Sequence, residues 1–107
     1  MRVGGTRYDV RMIETYAEAR DAVEREMQPL VDQSRTLSVS DFGLEDEHGW
    51  LVPWGVCVRV DDAGRAHFEP PLPGAATFVD RLTGFVSLTS FDAEMSRIQS
   101  MQPVRVE

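Results

Sequence analysis

From Trp50 to Val60 every even position is apolar: Trp50, Val52, Trp54, Val56, Val58 and Val60. A period of two sustained over six positions predicts a β-strand with one face in a core. Both tryptophans of the chain lie on that face. Pro53 falls on the odd face, where a missing N–H is tolerated only at an edge or a bulge. Upstream the period is helical. Tyr16, Ala19, Val23, Met27 and Leu30 form one apolar stripe. Thr15-Tyr16-Ala17-Glu18 fits a capping box, in which the threonine hydroxyl and the glutamate carboxylate each satisfy a free amide. Asp21 and Arg25 stand four residues apart on the outer face. Pro29 ends or bends the helix near Gln28. A helix is predicted over residues 15–28.

Between these two blocks the pattern changes phase. Leu37 and Val39 alternate on odd positions, Phe42 and Leu44 on even ones. One extra residue flips the side chains that follow, so a β-bulge is predicted near Asp41. Glu47-His48-Gly49 closes a hairpin into the Trp50 strand, and Asp61-Asp62-Ala63-Gly64 makes the next turn. A short strand is predicted over residues 65–69. Pro70-Pro71-Leu72-Pro73-Gly74 is too rich in proline to join a sheet. Ala75 to Asp80 and Phe85 to Thr89 are predicted strands, joined by the turn Arg81-Leu82-Thr83-Gly84. Ser90 is the predicted cap of a short last helix with Met95, Ile98 and Met101 on one side. Residues 1–13 are expected to be a flexible lead-in or an edge strand with Tyr8, Val10 and Met12 alternating, and residues 102–107 a loose tail.

The whole is an α+β fold. An N-terminal helix packs on a meandering antiparallel sheet of about four strands, followed by a short C-terminal helix. Both tryptophans, Val56, Val58 and Phe78 are expected to meet the Tyr16–Leu30 stripe. A chain of 107 residues makes one domain, burying roughly two-thirds of its unfolded surface. No apolar run approaches the ~20 residues of a membrane span, and no signal-peptide core follows Met1, so a cytoplasmic location is expected. The single cysteine, Cys57, lies within a strand pattern, the setting of a small apolar residue.

Net charge is −7, and all eleven basic residues are arginine. A surface of this sign repels nucleic acid and anionic lipid, whose recognition rests on Lys and Arg. It suits a basic protein partner. From Thr36 to Val58 there are four acids, Asp41, Glu45, Asp46 and Glu47, and no arginine. These four, with Asp61 and Asp62 of the later turn, are the candidate partner-binding residues. Neither acidic group reads as a metal site. Consecutive strand residues Glu45 to His48 point to opposite faces, and the Asp61–Gly64 turn lacks the ligand spacing of a calcium loop. His48 and His67 have no nucleophile and orienting group placed with them by any motif. Asp80, in VDRLTG, is expected to cap its turn by accepting backbone N–H bonds. No cofactor is expected.

Two blocks carry a resemblance: Gly49-Trp50 with Val52 and Trp54, and Pro73-Gly74 with Val79-Asp80-Arg81 and Thr83-Gly84. Behind the helix YAEARDAVEREM, this arrangement resembles the family called immunity protein 35, also described as YrhB-like, over about residues 16 to 90. The lead-in and the connector ahead of Pro73 have no counterpart in it. The resemblance implies a small α+β protein that binds a cognate bacterial toxin with a basic cleft and occludes its active site or substrate cleft. It carries no catalytic residue. Alternatives are a chaperone-like stress protein, which some such members are described as, and a small enzymatic or ligand-binding domain. The last would show a deep pocket under the helix lined by polar groups with shifted pKa values.

Overall fold

A computed structural model describes residues 12–31, 35–69 and 74–107. The elements run α1 (Tyr16–Met27), a 3-10 turn (Gln28–Leu30), β1 (Leu37–Val39), β2 (Phe42–Asp46), β3 (Gly49–Leu51), β4 (Trp54–Val60), β5 (Ala66–Glu69), β6 (Ala75–Asp80), β7 (Val86–Ser90), α2 (Met95–Ser100) and β8 (Gln102–Arg105). The fold is α+β. The strands form not the expected single sheet of about four but two antiparallel sheets, three strands in the order β1-β4-β5 and five in the order β7-β6-β3-β2-β8, because the chain changes sheet at Ser40–Asp41 and at Val52–Pro53. The lead-in residues Tyr8 and Val10 and the connector Pro70–Pro73 lie outside the described residues.

Helix α1 starts where the capping box places it. The Thr15 hydroxyl accepts from the Glu18 N–H at 3.2 Å, and Glu18 Oε1 accepts from the Thr15 N–H at 3.1 Å. Pro29 converts its end to a 3-10 turn. Tyr16, Ala19, Ala22, Val23 and Met27 are buried, while Leu30, past the proline, is 78% exposed and leaves the stripe.

The sheet differs from the expectation in four places. The Trp50–Val60 run is two strands, not one. Val52 and Pro53 break it, β3 pairing in the five-stranded sheet and β4 in the three-stranded one. Proline cannot donate to a ladder, and here it marks the handover between ladders. A bulge falls at Val58, between Cys57 and Arg59, and Val58 and Val60 are exposed. The phase change at Ser40–Asp41 is likewise a sheet switch rather than a bulge: β1 pairs with β4 and β2 with β3. Finally, residues 102–105 are a strand. β8 pairs with β2, Leu44 opposite Pro103, and Pro103 is accommodated because β8 is an edge.

Both faces of the five-stranded sheet are covered. On one face, Trp50, Val52 and Val79 meet Ile13, Tyr16, Ala19, Val23 and Met27, with Val39 from the smaller sheet joining them. On the other, Leu51, Ala76 and Phe78 meet Met101, with Leu44 and Ile98 beside them. Phe78 and Val58 therefore do not reach the helix stripe. Leu51, an odd position, is as buried as its even neighbours because α2 covers its side. No helix among the described residues is long and apolar enough to cross a membrane.

Candidate functional site

The acidic hairpin β2–β3 is built from a cross-strand ladder in which Glu45 faces Trp50 and Asp46 faces Gly49. Glu45 Oε1 accepts from Trp50 Nε1 at 2.8 Å. The indole is fully buried, so this bond satisfies a donor that would otherwise be stranded. The Arg81 guanidinium lies 4.3 Å over the same ring and donates to the Asp46 carbonyl at 2.9 Å.

Asp46 holds the turn from the other face. Its Oδ1 accepts from the His48 and Gly49 N–H groups at 2.9 and 3.0 Å. Arg97 of α2 donates to both carboxylate oxygens, at 2.8 Å from Nε and 3.1 Å from the terminal nitrogen. The Arg97 guanidinium also stacks 4.4 Å over Phe78. Burial alone would raise the Asp46 pKa, but Arg97 and the two amides outweigh it and hold the carboxyl below its usual range. The same pairing raises Arg97.

Glu47 completes the tip. Its side chain is 84% exposed and lies 3.4 Å from an equally outward His48. Glu45, Asp46, Glu47, Arg97, Ser100 and Gln102 surround an open concavity of about 470 Å³ at this end of the sheet.

The remaining candidates are elsewhere. Asp41, before β2, lies 3.4 Å from Arg20 with its side chain 69% exposed. Asp61 and Asp62 are on the β4–β5 turn of the smaller sheet. Asp61 Oδ1 accepts from the Ala63 and Arg65 amides at 3.0 and 2.9 Å, and Oδ2 meets His67 Nε2 at 2.8 Å. The His67 contact, then the turn amides, lower its pKa. Asp62 is exposed. Of the six acids the structure thus brings together Glu45, Asp46 and Glu47. Within that trio Glu47 alone has no structural bond to a buried group. Asp80 Oδ1 accepts from Leu82 and Thr83 N–H at 2.8 and 3.0 Å, a turn cap.

Sequence reasoning missed Arg81 and Arg97, which fasten the hairpin. Arg97 was reachable: it sits on the same short helix as Ile98 and Met101, whose apolar side must dock on the sheet.

A second cavity, of about 320 Å³, lies beside the β3–β4 break and is lined by Val52, Pro53, Trp54, Thr77, Leu88 and Phe91 among others. Among the described residues no titratable side chain lines it. The hydroxyl of buried Thr77 accepts from Trp54 Nε1 at 2.7 Å. Among the described residues no three His, Cys, Asp or Glu side chains come together as a metal ion would require. Compared with family models, with curated proteins and with solved structures, the chain matches none.

Proposed function

We propose that this chain is a non-enzymatic immunity-type protein that binds a basic toxin through the β2–β3 hairpin and covers its active site or substrate cleft. The observation that carries the reading is the construction of the tip. Glu47 projects into solvent from a turn fastened on one face by Arg97 and on the other by Arg81. A turn whose backbone is held in place before encounter loses little further conformational freedom on binding. On a chain of net charge −7 Glu47 steers a basic partner by long-range attraction. The likeness of the GWLVPW and VDRLTG blocks to immunity proteins supports the toxin as the class of partner.

Asp46 and Asp61 serve the fold in this reading, and contact falls to Glu47 with Glu45 at its side. The test is to look for a toxin domain encoded beside the chain and to measure protection of growth when the two are co-expressed. Full protection by the native chain and slower, less salt-dependent association by Glu47→Arg support the proposal. Absence of protection by the native chain overturns the immunity role. Protection with association unchanged in Glu47→Arg overturns the hairpin as the contact surface.

A further inference from the structure

Among the described residues the two sheets have four edges, and three are blunted against pairing with another chain. β1 is three residues long. β5 follows Arg65 and contains His67 and Glu69, and β8 carries Pro103 and Arg105. Short length, charge and proline are the usual protections of an exposed edge. β7 has none of them. The window Phe85-Val86-Ser87-Leu88-Thr89-Ser90-Phe91 holds no charge, proline or glycine, in a chain whose residues are 27% charged.

The hydrogen-bond phase shows which groups this edge offers. Asp80 donates to the Phe85 carbonyl at 2.9 Å and Phe91 to the Gly74 carbonyl at 2.8 Å. With Phe78 opposite Ser87 and Ala76 opposite Thr89, the odd residues of β7 bond to β6. Antiparallel alternation then turns the N–H and C=O of Val86, Leu88 and Ser90 away from the sheet. The Ser90 carbonyl accepts from Glu94 at 3.2 Å. The outward groups of Val86 and Leu88 have no partner among the described residues. Phe85, Leu88 and Phe91 beside them are 62%, 39% and 36% exposed.

Read backwards about Leu88, the window matches itself at two of its three pairs, the aromatics Phe85 and Phe91 and the hydroxyls Ser87 and Thr89, and differs at Val86 and Ser90. We propose that β7 is the interface of a two-fold homodimer, in which the β7 strands of two copies pair antiparallel about an axis at Leu88 and join the two five-stranded sheets. The outward residues form the hydrogen-bonded pairs, Leu88 against the partner's Leu88 and Val86 against the partner's Ser90. Phe85 then stands opposite the partner's Phe91, an aromatic cross-strand pair. Ser87 stands opposite the partner's Thr89. Because the window is uncharged, two copies of net charge −7 meet along it without like charges face to face. A second copy therefore fits this edge by partial symmetry of sequence as well as by free backbone groups.

The experiment is sedimentation equilibrium of the full chain, with Leu88→Lys, Leu88→Pro and the β5-edge control Phe68→Lys, each checked by circular dichroism. Twice the mass of one chain is expected for the native protein and for Phe68→Lys. Leu88→Lys sets two cations together on the axis and Leu88→Pro removes the outward N–H, so both are expected to weaken the dimer about tenfold or more. Antiparallel hydrogen-bonded pairs hold Cα atoms about 5.5 Å apart, within disulfide range. Leu88→Cys in a Cys57→Ser background is therefore expected to cross-link to a covalent dimer on oxidation, and Ser87→Cys is not. This arm remains decisive if the lysine or proline variant fails to fold. A native chain that stays monomeric at millimolar concentration overturns the proposal. So does a Leu88 amide protected from exchange in a monomer, or a dimer whose cross-link forms at Ser87 and not at Leu88.

Discussion

Arg97 grips Asp46 through both carboxylate oxygens, at 2.8 and 3.1 Å, across 51 residues of sequence. This contact ties α2 to the turn of β2–β3, and the same guanidinium covers Phe78. Side-chain exposures of 28% and 15% place the pair between a surface ion pair and a buried one. Replacing Arg97 with Met removes the charge-assisted bonds and leaves Asp46 its two turn amides. A loss of about 1–3 kcal/mol at neutral pH is expected from urea denaturation. The pH dependence has a definite sign. The Asp46 pKa is lowered from 3.8 in the folded state, so its contribution is present above that value and disappears as pH falls through the folded value. The gap between native protein and Arg97→Met is therefore expected to narrow in acid. A gap that stays constant would mean that Arg97 acts through packing on Phe78 alone.

Tyr16 gives the opposite pH limb. Its hydroxyl donates to the Ser40 carbonyl at 2.9 Å from a ring that is 3% exposed. Burial, opposed by Arg20 and reinforced by Asp41, raises its pKa from 10.0 to about 12. The group is neutral when folded and ionises more easily when unfolded. Stability is therefore full below pH 10 and declines as pH rises towards 12, by roughly 2–3 kcal/mol in all. Tyr16→Phe is expected to cost about 1 kcal/mol near neutrality, where only the hydrogen bond is lost. The Ser40 carbonyl keeps its bond from Arg20 Nε at 3.0 Å. The variant should lack the alkaline decline, so its stability curve crosses that of the native chain above pH 10.

How far such features were legible in the sequence depends on their range. Thr15 and Glu18 are three residues apart and settle a helix start by local chemistry, so α1 was readable to within a residue. The turns at Asp61 and Asp80 were readable for the same reason. The period-two run from Trp50 reported strand correctly but not which sheet each half joins, because alternation is blind to the partner. Pro53 was the mark of the break, and its missing N–H fits a handover as well as it fits a bulge. A one-faced reading also left Leu51 unexplained, since it presumes that the second face meets water. Here α2 covers it. The tail was misread for want of the same information: Val104 and Val106 alternate, and both lie against the first core. In the candidate site the acids were visible as a cluster. Their bonds to Trp50 and Arg97 were not, because those partners are set by the register of β2 on β3 and by the docking of a short helix.

Gly49 separates two reasons for a glycine. Its φ is +155°, and a Cβ built there would overlap the Val79 carbonyl oxygen and approach the Arg81 nitrogen at 3.2 Å. Both neighbours are backbone of the adjoining strand and turn and cannot swing aside. Gly49→Ala is therefore expected to cost about 3 kcal/mol or more and to disturb the hairpin that carries Glu47. Gly64 has φ +81° and open space around it. Gly64→Ala should cost only the left-handed backbone penalty, about 1–2 kcal/mol. Thermal denaturation of the two variants checks the ranking, and equal losses would show that the Val79 contact relaxes freely.

The two tryptophans, equivalent by sequence pattern, are expected to differ in consequence. Trp50 is fully buried between α1 and the sheet, stacked on Arg81 and bonded to Glu45. Its truncation to Ala opens a cavity, removes the surface on which Arg81 rests and frees Glu45, the residue beside the exposed tip. A loss near 5 kcal/mol is expected, the upper end for a large aromatic. Trp54 begins β4, is half-buried, and borders the apolar cavity. Trp54→Ala has less buried surface to lose, but it leaves the hydroxyl of buried Thr77 without the indole donor. About 3 kcal/mol is expected. Restoring the ring without the donor, in Trp54→Phe, should recover the packing part and leave about 1 kcal/mol for the lost bond. Acrylamide quenching gives an independent reading in the single-tryptophan variants. Emission from Trp50 should be shielded and that from Trp54 accessible, and equal quenching of the two would contradict the burial on which the ranking rests.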